Sequence, residues 1–192
     1  MPLKLQVIIC STRPGRVGPS VAKWFAGFAA SHEGFDVSLV DLADVNLPVY
    51  DEPHHPRMQN YQHEHTKRWS ASVADADAYV FVTPEYNYCA PPSLVNALNY
   101  VYSEWNYKPC GFVSYGGVSG GMRAVQVAKQ LVTTLKMMPM VEGVAVPMVG
   151  TLLDEAKVFT SNPLIDDSAQ TMLAELHKWA TALKPMRQAK QA

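Results

Sequence analysis

The chain alternates short apolar runs with longer stretches in which apolar residues recur every three or four positions. Leu5–Cys10 (LQVIIC) is a nearly continuous apolar run that stops at Ser11, the pattern of a strand buried on both faces. Val37–Leu42, Tyr79–Thr83, Gly111–Tyr115 and Val144–Val149 read as four further strands. Pro84 closes the third, Gly116 and Gly117 close the fourth, and Pro147 inside the fifth places it at a sheet edge. Between the strands the period becomes helical. Val17, Val21, Trp24, Phe25, Phe28 and Ala29 form one wide apolar stripe, and Val125, Ala128, Leu131, Val132 and Leu135 form another. A last stripe carries Ala169, Met172, Leu173, Leu176, Ala180 and Leu183, with Asp166 and Asp167 at the end where the helix dipole favours carboxylates. Tyr61–Ala76 is a weaker helix. Pro92–Trp105 reads as a helix with proline in its first turn.

This strand–helix alternation predicts an α/β fold, a parallel sheet covered by helices on both faces. Ligands of such sheets bind beyond the carboxyl ends of the strands, which singles out the loops Ser11–Ser20, Pro84–Pro92 and Gly116–Gly121. The histidine-rich link Leu47–Gln62 is expected to be irregular. A single domain is expected over residues 1–184, followed by a polar tail over 185–192.

Composition narrows the function. The 192 residues suit one domain, and 48% hydrophobic against 17% charged residues supplies a core and disfavours disorder. A formal net charge of −1 provides no field of one sign, so nucleic acid and anionic membranes are not expected as partners. Cys10, Cys89 and Cys110 form no CxxC pair, which argues against a disulfide framework or a thiolate metal site and suits a reducing cytoplasm. The first apolar run is too short for a signal core or a membrane span. A soluble, cytoplasmic protein is expected.

The first loop, Ser11-Thr12-Arg13-Pro14-Gly15-Arg16-Val17-Gly18-Pro19-Ser20, joins a buried strand to an amphipathic helix. Unpaired N–H groups and the dipole at a helix start favour an anion. Hydroxyls of Ser11, Thr12 and Ser20 and the fork of Arg13 add donors suited to a phosphate monoester. No Walker or GxGxxG pattern is present, and a capped turn with solvated arginines uses the same residues. The second loop is stiffened by Pro84, Pro91 and Pro92, so it can meet a flat ring with little ordering entropy. Tyr86 can flank an aromatic ligand and Asn87 can both donate and accept, although the tyrosines can equally pack on the core. The third loop, from Tyr115 to Gly121, holds four glycines in seven residues and lets backbone approach a ring closely. The helix start after it offers N–H groups where negative charge would collect. For a flavin that place is the N1–C2=O edge, and donors there stabilise the reduced form.

Together, STRPGRVGPSVAKW, TPEYNYCAPPSLVNAL and SYGGVSGG resemble the NADPH-dependent FMN reductase family of flavodoxin-like proteins, over residues 4–149. The resemblance implies a flavodoxin-like three-layer sandwich whose five-stranded parallel sheet has the order 2-1-3-4-5. It implies FMN as cofactor and NADPH or NADH as reductant. Ser11, Arg13, Val17, Gly18 and Ser20 would then surround the ribityl phosphate. Pro84, Glu85, Tyr86 and Asn87 would line the pyrimidine side, with Gly116, Gly117, Ser119 and Gly121 beneath the isoalloxazine. Hydride transfer from nicotinamide to flavin needs orientation and electrostatics, so no catalytic residue is assigned. Electrons would pass on to a quinone, free flavin, azo dye, metal oxyanion or oxygen. Arg16 is either a nucleotide-phosphate contact or simply solvated. Relatives are mostly dimers or larger, and the aromatic group Tyr100, Tyr102, Trp105 and Tyr107 is expected at a homodimer or homotetramer interface.

The alternative is a flavodoxin-like electron carrier, or a flavin-binding sensor without turnover. Near-zero charge disfavours the carrier, which docks through a strongly acidic face. His54, His55, His63 and His65 are read as solvated rather than metal-binding, because residues two apart on a helix point in different directions. Cys89 and the methionines 137, 138, 140 and 148 are read as packing.

Overall fold

Every residue of Ala78–Pro84 and of Pro109–Tyr115 is buried, a state open only to strands covered on both faces. A computed structural model describes residues 2–188. In chain order it contains β1 (Leu3–Ile9), α1 (Gly18–Ala30), β2 (Phe35–Asp41), the single turn α2 (Leu42–Val45) and α3 (Glu64–Asp75). Then follow β3 (Ala78–Pro84), α4 (Pro92–Tyr100), β4 (Pro109–Tyr115), α5 (Met122–Thr134), β5 (Met138–Pro139), β6 (Val144–Val146) and α6 (Pro163–Gln188). All strand pairs are parallel and the order is β2-β1-β3-β4-β5, with β6 also on β4. Helices α1 and α6 cover one face through Phe25, Met172 and Leu176, and α3, α4 and α5 cover the other through Trp69, Leu98 and Val132. This is the expected three-layer α/β sandwich.

The fifth strand differs from expectation. The single run predicted at Val144–Val149 is preceded by a second short strand, and the two share one edge of β4. β5 pairs with Pro109 and Cys110, and β6 pairs with Val113 to Tyr115. Prolines explain the interruption. Neither Pro139 nor Pro147 has an N–H to give the ladder, so each closes its strand, and Met140 N–H reaches Cys110 O at 2.8 Å before the chain leaves.

The helix expected over Pro92–Trp105 ends at Tyr100. Val101 is extended (φ −135°, ψ 158°) and Ser103–Trp105 makes a 3₁₀ turn. The turn sends the Trp105 ring back beneath α4, edge-on to Tyr79 at 4.8 Å and to Trp69 at 5.9 Å. A continued helix would carry that indole away from the core. Trp105 and Tyr100 are therefore fully buried, which removes both from the surface aromatic group expected at a subunit interface. The helix expected from Tyr61 starts at Glu64 because the Glu52 carboxylate accepts the N–H groups of Gln62 (2.8 Å) and His63 (3.0 Å). Buried Glu104 accepts from Tyr61 Oη (3.0 Å) and Ser70 Oγ (2.7 Å). Two carboxylates thus pin the Leu47–Gln62 excursion.

At the amino edge of the sheet, Asp77 receives Arg187 (2.6 Å) and Lys184 (3.4 Å) from the last turns of α6. Of the stretch 185–192 expected as a polar tail, residues to Gln188 continue α6, and 189–192 lie outside the described residues. Nearby, the buried Lys108 ammonium donates to the last carbonyls of α3, Val73 (2.7 Å) and Ala74 (3.0 Å), and to Tyr79 Oη (3.1 Å). Burial, aided by the Arg187 charge, pushes Lys108 down to about 7. The unfolded chain binds that proton up to a pH of about 10.4, so between the two values stability rises with pH. Burial also holds the Cys110 thiol and Tyr79 phenol up, and their ionisation in the unfolded chain opposes the rise above a pH of about 9. The melting temperature should accordingly increase from pH 7 to pH 9. Thermal melts of Lys108→Met should show that slope flattened.

Candidate functional site

Loop 1, between β1 and α1, turns through Arg16 N–H to Arg13 O (3.2 Å) and Gly15 at φ +71°. Val17 stands at the N-cap of α1 and its side chain caps nothing. Among the described residues, the N–H groups of Thr12, Gly15, Val17 and Gly18 therefore meet no protein acceptor. Two buried donors beside them are also unpaired, Arg16 Nε and Tyr115 Oη. The Tyr115 ring lies over the start of α1, where a Cβ at Gly18 would come within 2.7 Å of its hydroxyl. Burial pushes the Tyr115 phenol up, so it stays a protonated donor, with Ser11 in its vicinity. An uncapped positive helix end ringed by unsatisfied donors calls for an anion.

Loop 2 begins at Pro84, buried in β3, and folds into a tight hairpin. Tyr86 and Cys89 exchange backbone hydrogen bonds at 2.9 Å, with Asn87 and Tyr88 both at positive φ (50° and 67°). Two consecutive positive φ values define a type I′ turn, which Asn tolerates and Tyr does not welcome. The phenol of Tyr86 shares a 2.6 Å hydrogen bond with Ser11 Oγ, so loop 2 is tied to loop 1. These two loops border an open groove of ≈ 1180 Å³, whose opposite wall is Leu42, Asn46, Leu47 and Tyr50.

Loop 3 needs its glycines for two different reasons. Gly121 sits at φ +79°, and a Cβ there would come within 2.9 Å of Tyr115 O. Gly117 has nothing within 4 Å of a Cβ and faces open space. Between loops 2 and 3, the Glu85 carboxylate accepts Arg123 Nε (2.7 Å), Arg123 N–H (3.2 Å) and Ser119 Oγ (3.2 Å). The Arg123 guanidinium holds the Glu85 carboxyl below its usual range and lies 3.9 Å from the centre of the Tyr88 ring.

The sequence-predicted residues therefore gather at the carboxyl edge of the sheet, but their side chains divide. Arg13 is exposed, and Ser11, Gly18, Pro84 and Gly121 are buried. Ser20 accepts the Phe159 N–H at 2.7 Å, which ties the start of α1 to the segment before α6. Glu85 faces Arg123. Arg16 is neither solvated nor free, since it pairs with Asp41 at the end of β2. Two residues were not anticipated. Tyr115 read only as the residue where the fourth strand meets loop 3, with no ligand role. Arg123 had a signal, because a cation in the first turn of a helix opposes the dipole and needs a carboxylate partner. His63 and His65 also depart from expectation. His63 stands at the extended N-cap of α3 rather than on the helix, and the two rings stack with centroids 5.2 Å apart. Among the described residues no three His, Cys, Asp or Glu side chains form a metal-binding group, and no helix is long and apolar enough to cross a membrane.

A parallel sheet in this order, with an anion-ready loop at its switch point, defines a flavodoxin-like protein. Among solved structures, the chain resembles FerB, a flavoenzyme NAD(P)H:(acceptor) oxidoreductase of Paracoccus denitrificans, with a TM-score of 0.75 and 19% identity over 94% of this chain and 98% of that one, a likeness of fold. It is 41% identical over 166 residues to an NAD(P)H-dependent FMN reductase of Schizosaccharomyces pombe, covering 83% of this chain and 82% of the relative. A 2-hydroxy-1,4-benzoquinone reductase of Burkholderia sp. is 32% identical over 127 residues, covering 66% of this chain and 62% of the relative. The family model of NADPH-dependent FMN reductases matches residues 3–151, and the chain belongs to that family. It is an FMN-dependent NAD(P)H oxidoreductase.

Gly121→Ala should lower unfolding stability by about 1–2 kcal/mol, the left-handed strain of an L-residue, with the Tyr115 carbonyl contact adding to it. Urea unfolding of the flavin-free protein checks this, and an unchanged midpoint would contradict the loop geometry.

Proposed function

We propose that loops 1, 2 and 3 hold FMN, and that the enzyme delivers electrons from NAD(P)H to a small acceptor of the quinone type. The observation that carries the reading is the pair of unsatisfied buried donors, Tyr115 Oη and Arg16 Nε, at the uncapped start of α1. Such donors fit a phosphate monoester, whose oxygens accept several charge-assisted hydrogen bonds. In this reading Ser11, Arg13, Val17, Gly18 and Ser20 bind the phosphate end, with Tyr115 added to them. The Ser20 oxygen already accepts from Phe159, so only its O–H remains to give. Pro84, Tyr86 and Asn87 line the pyrimidine side of the ring, with Glu85 beside them, and Gly116, Gly117, Ser119 and Gly121 lie beneath it.

Bound FMN supplies hydride acceptance from the nicotinamide and electron delivery to the acceptor. The chain's contribution is to bind and orient. N–H groups of loop 3 and the start of α5 favour negative charge at the ring edge. No protein side chain needs to move a proton, so none is assigned as catalytic. A quinone-type acceptor is supported by the relatives that are themselves named quinone reductases. It is supported too by the open groove, whose apolar wall includes Leu47, Val49 and Val95. A cytoplasmic location accords with three unpaired cysteines. Assembly as a homodimer or homotetramer accords with the exposed apolar residues Val118, Met122 and Met148 around loop 3.

The test begins with the spectrum. The protein should take up FMN, turn yellow, be bleached anaerobically by NADPH and recover colour when a quinone is added. Arg13→Ala should weaken FMN binding by about 1–3 kcal/mol, the range for losing a charged hydrogen bond. Gly117→Val should melt like the parent yet carry no flavin, because its side chain enters space that is open in the protein. Full flavin occupancy in Gly117→Val would move the ring site away from loop 3.

A further inference from the structure

The Glu85–Arg123 contact bridges loop 2 and the start of α5. α5 starts at Met122 behind Gly121, which has no side chain to cap it, and carries no acidic residue in its first turn. Glu85 supplies the missing carboxylate from another loop by accepting the Arg123 backbone N–H at 3.2 Å. The same carboxylate takes Arg123 Nε at 2.7 Å and Ser119 Oγ at 3.2 Å, and Arg123 Nη2 closes the ring on Ser119 Oγ at 3.1 Å. Only 8% of the Glu85 side chain is exposed, against 49% of Arg123, so the carboxylate is the enclosed member and the guanidinium the lid. The lid is itself held by the Tyr88 ring of the loop 2 hairpin. The Glu85 bonds and the Tyr88 contact join loop 2 to loop 3 and the start of α5, and the Arg123–Ser119 bond links those two to each other.

We propose that Glu85 is a positioning residue that acts through Arg123 and Ser119. Its carboxylate locks the Pro84–Asn87 segment and the Gly116–Gly121 loop in one register, so that the two loops meet a bound flavin as a single wall. This rests on the reading of those loops as the ring site. It departs from the family-based expectation that Glu85 touches the ring, because the acceptor positions of its carboxylate are taken up by Arg123 and Ser119. The contact also places one negative and one positive charge at the loops where the reduced flavin's charge would collect. Removing the negative charge favours the reduced form and removing the positive one disfavours it.

The experiment uses the FMN-loaded full chain and its Glu85→Gln, Arg123→Met, Arg123→Lys and double Glu85→Gln/Arg123→Met variants. FMN dissociation constants should rise about tenfold in either single charge-removing variant, with the double variant no weaker than the worse single, as for partners in one contact. The flavin midpoint potential should move up in Glu85→Gln and down in Arg123→Met, whereas simple loosening of the loops would move both the same way. Arg123→Lys, which keeps the charge and loses the fork, should restore the potential more fully than the affinity. Equal-signed or absent potential shifts overturn the proposal. So does an Arg123→Met protein with parental affinity beside a Glu85→Gln protein that binds no FMN, since Glu85 would then contact the cofactor itself. Thermal melts of the flavin-free proteins supply a separate reading. Destabilisation should be non-additive there as well, and strict additivity would remove the link between the loops. A parent protein that takes up no FMN would instead refute the assignment of the loops while leaving that coupling in place.

Discussion

Strands β3 and β4 have no solvent face, and the rest of the molecule is arranged around that constraint. A strand apolar on both sides must be covered twice, so helices are required above and below the sheet. Covering both faces with parallel strands requires a helical crossover after each strand. Those crossovers bring every strand's carboxyl end to one edge. Burial of about 25 cal/mol per Å² is what stabilises the arrangement, and it is non-directional. It accounts for the layers but not for the conformation of the loops at the edge.

The loops are set by carboxylates. Glu52 takes the two N–H groups just ahead of α3, Glu104 gathers hydroxyls from the excursion and from α3, and Glu85 caps α5 from loop 2. Asp77 holds the far end of α6. Each is an acceptor placed where a helix end or a chain reversal leaves donors unsatisfied, and enclosing such a group without partners would be costly. The start of α1 has no such carboxylate. At α1 the N-cap is Val17, and the N–H groups, Arg16 Nε and Tyr115 Oη remain open. The start of α5 is thus capped by a carboxylate and the start of α1 is not.

The family membership and this geometry support each other at different levels. Membership establishes an FMN-dependent NAD(P)H oxidoreductase. The geometry separates residues left with unpaired donors from residues that hold the loops. Tyr86, whose phenol joins Ser11, and Glu85, whose carboxylate joins Arg123, connect the three loops into one edge. The edge is then stiff before any ligand arrives, which reduces the ordering entropy of binding.

Periodicity alone was enough for the strands, the parallel sheet covered on both faces and the three loops, because a period of two or of 3.6 and a βα alternation are local properties of the chain, whereas the strand order came from the family resemblance. PEYN and the glycine run were equally legible, since stiff or side-chain-free backbone is written in residue type. Contacts between side chains distant in sequence were not. Trp105 ended α4 early because its ring packs on Tyr79 and Trp69, and Glu52 moved the start of α3 by taking its first N–H groups. Pro139 closes a short edge strand ahead of the predicted run, and Pro147 cuts that run to Val144–Val146. Ser20 read as a phosphate donor by type, Arg16 as a phosphate contact or solvated, and Glu85 as a ring contact through the family resemblance; tertiary structure gives them Phe159, Asp41 and Arg123 as partners. Tyr115 carried no role in the sequence pattern and stands over the open helix end. A side chain's chemistry is set by its own atoms, but which partner it meets is decided by the packing of elements that the local pattern does not encode.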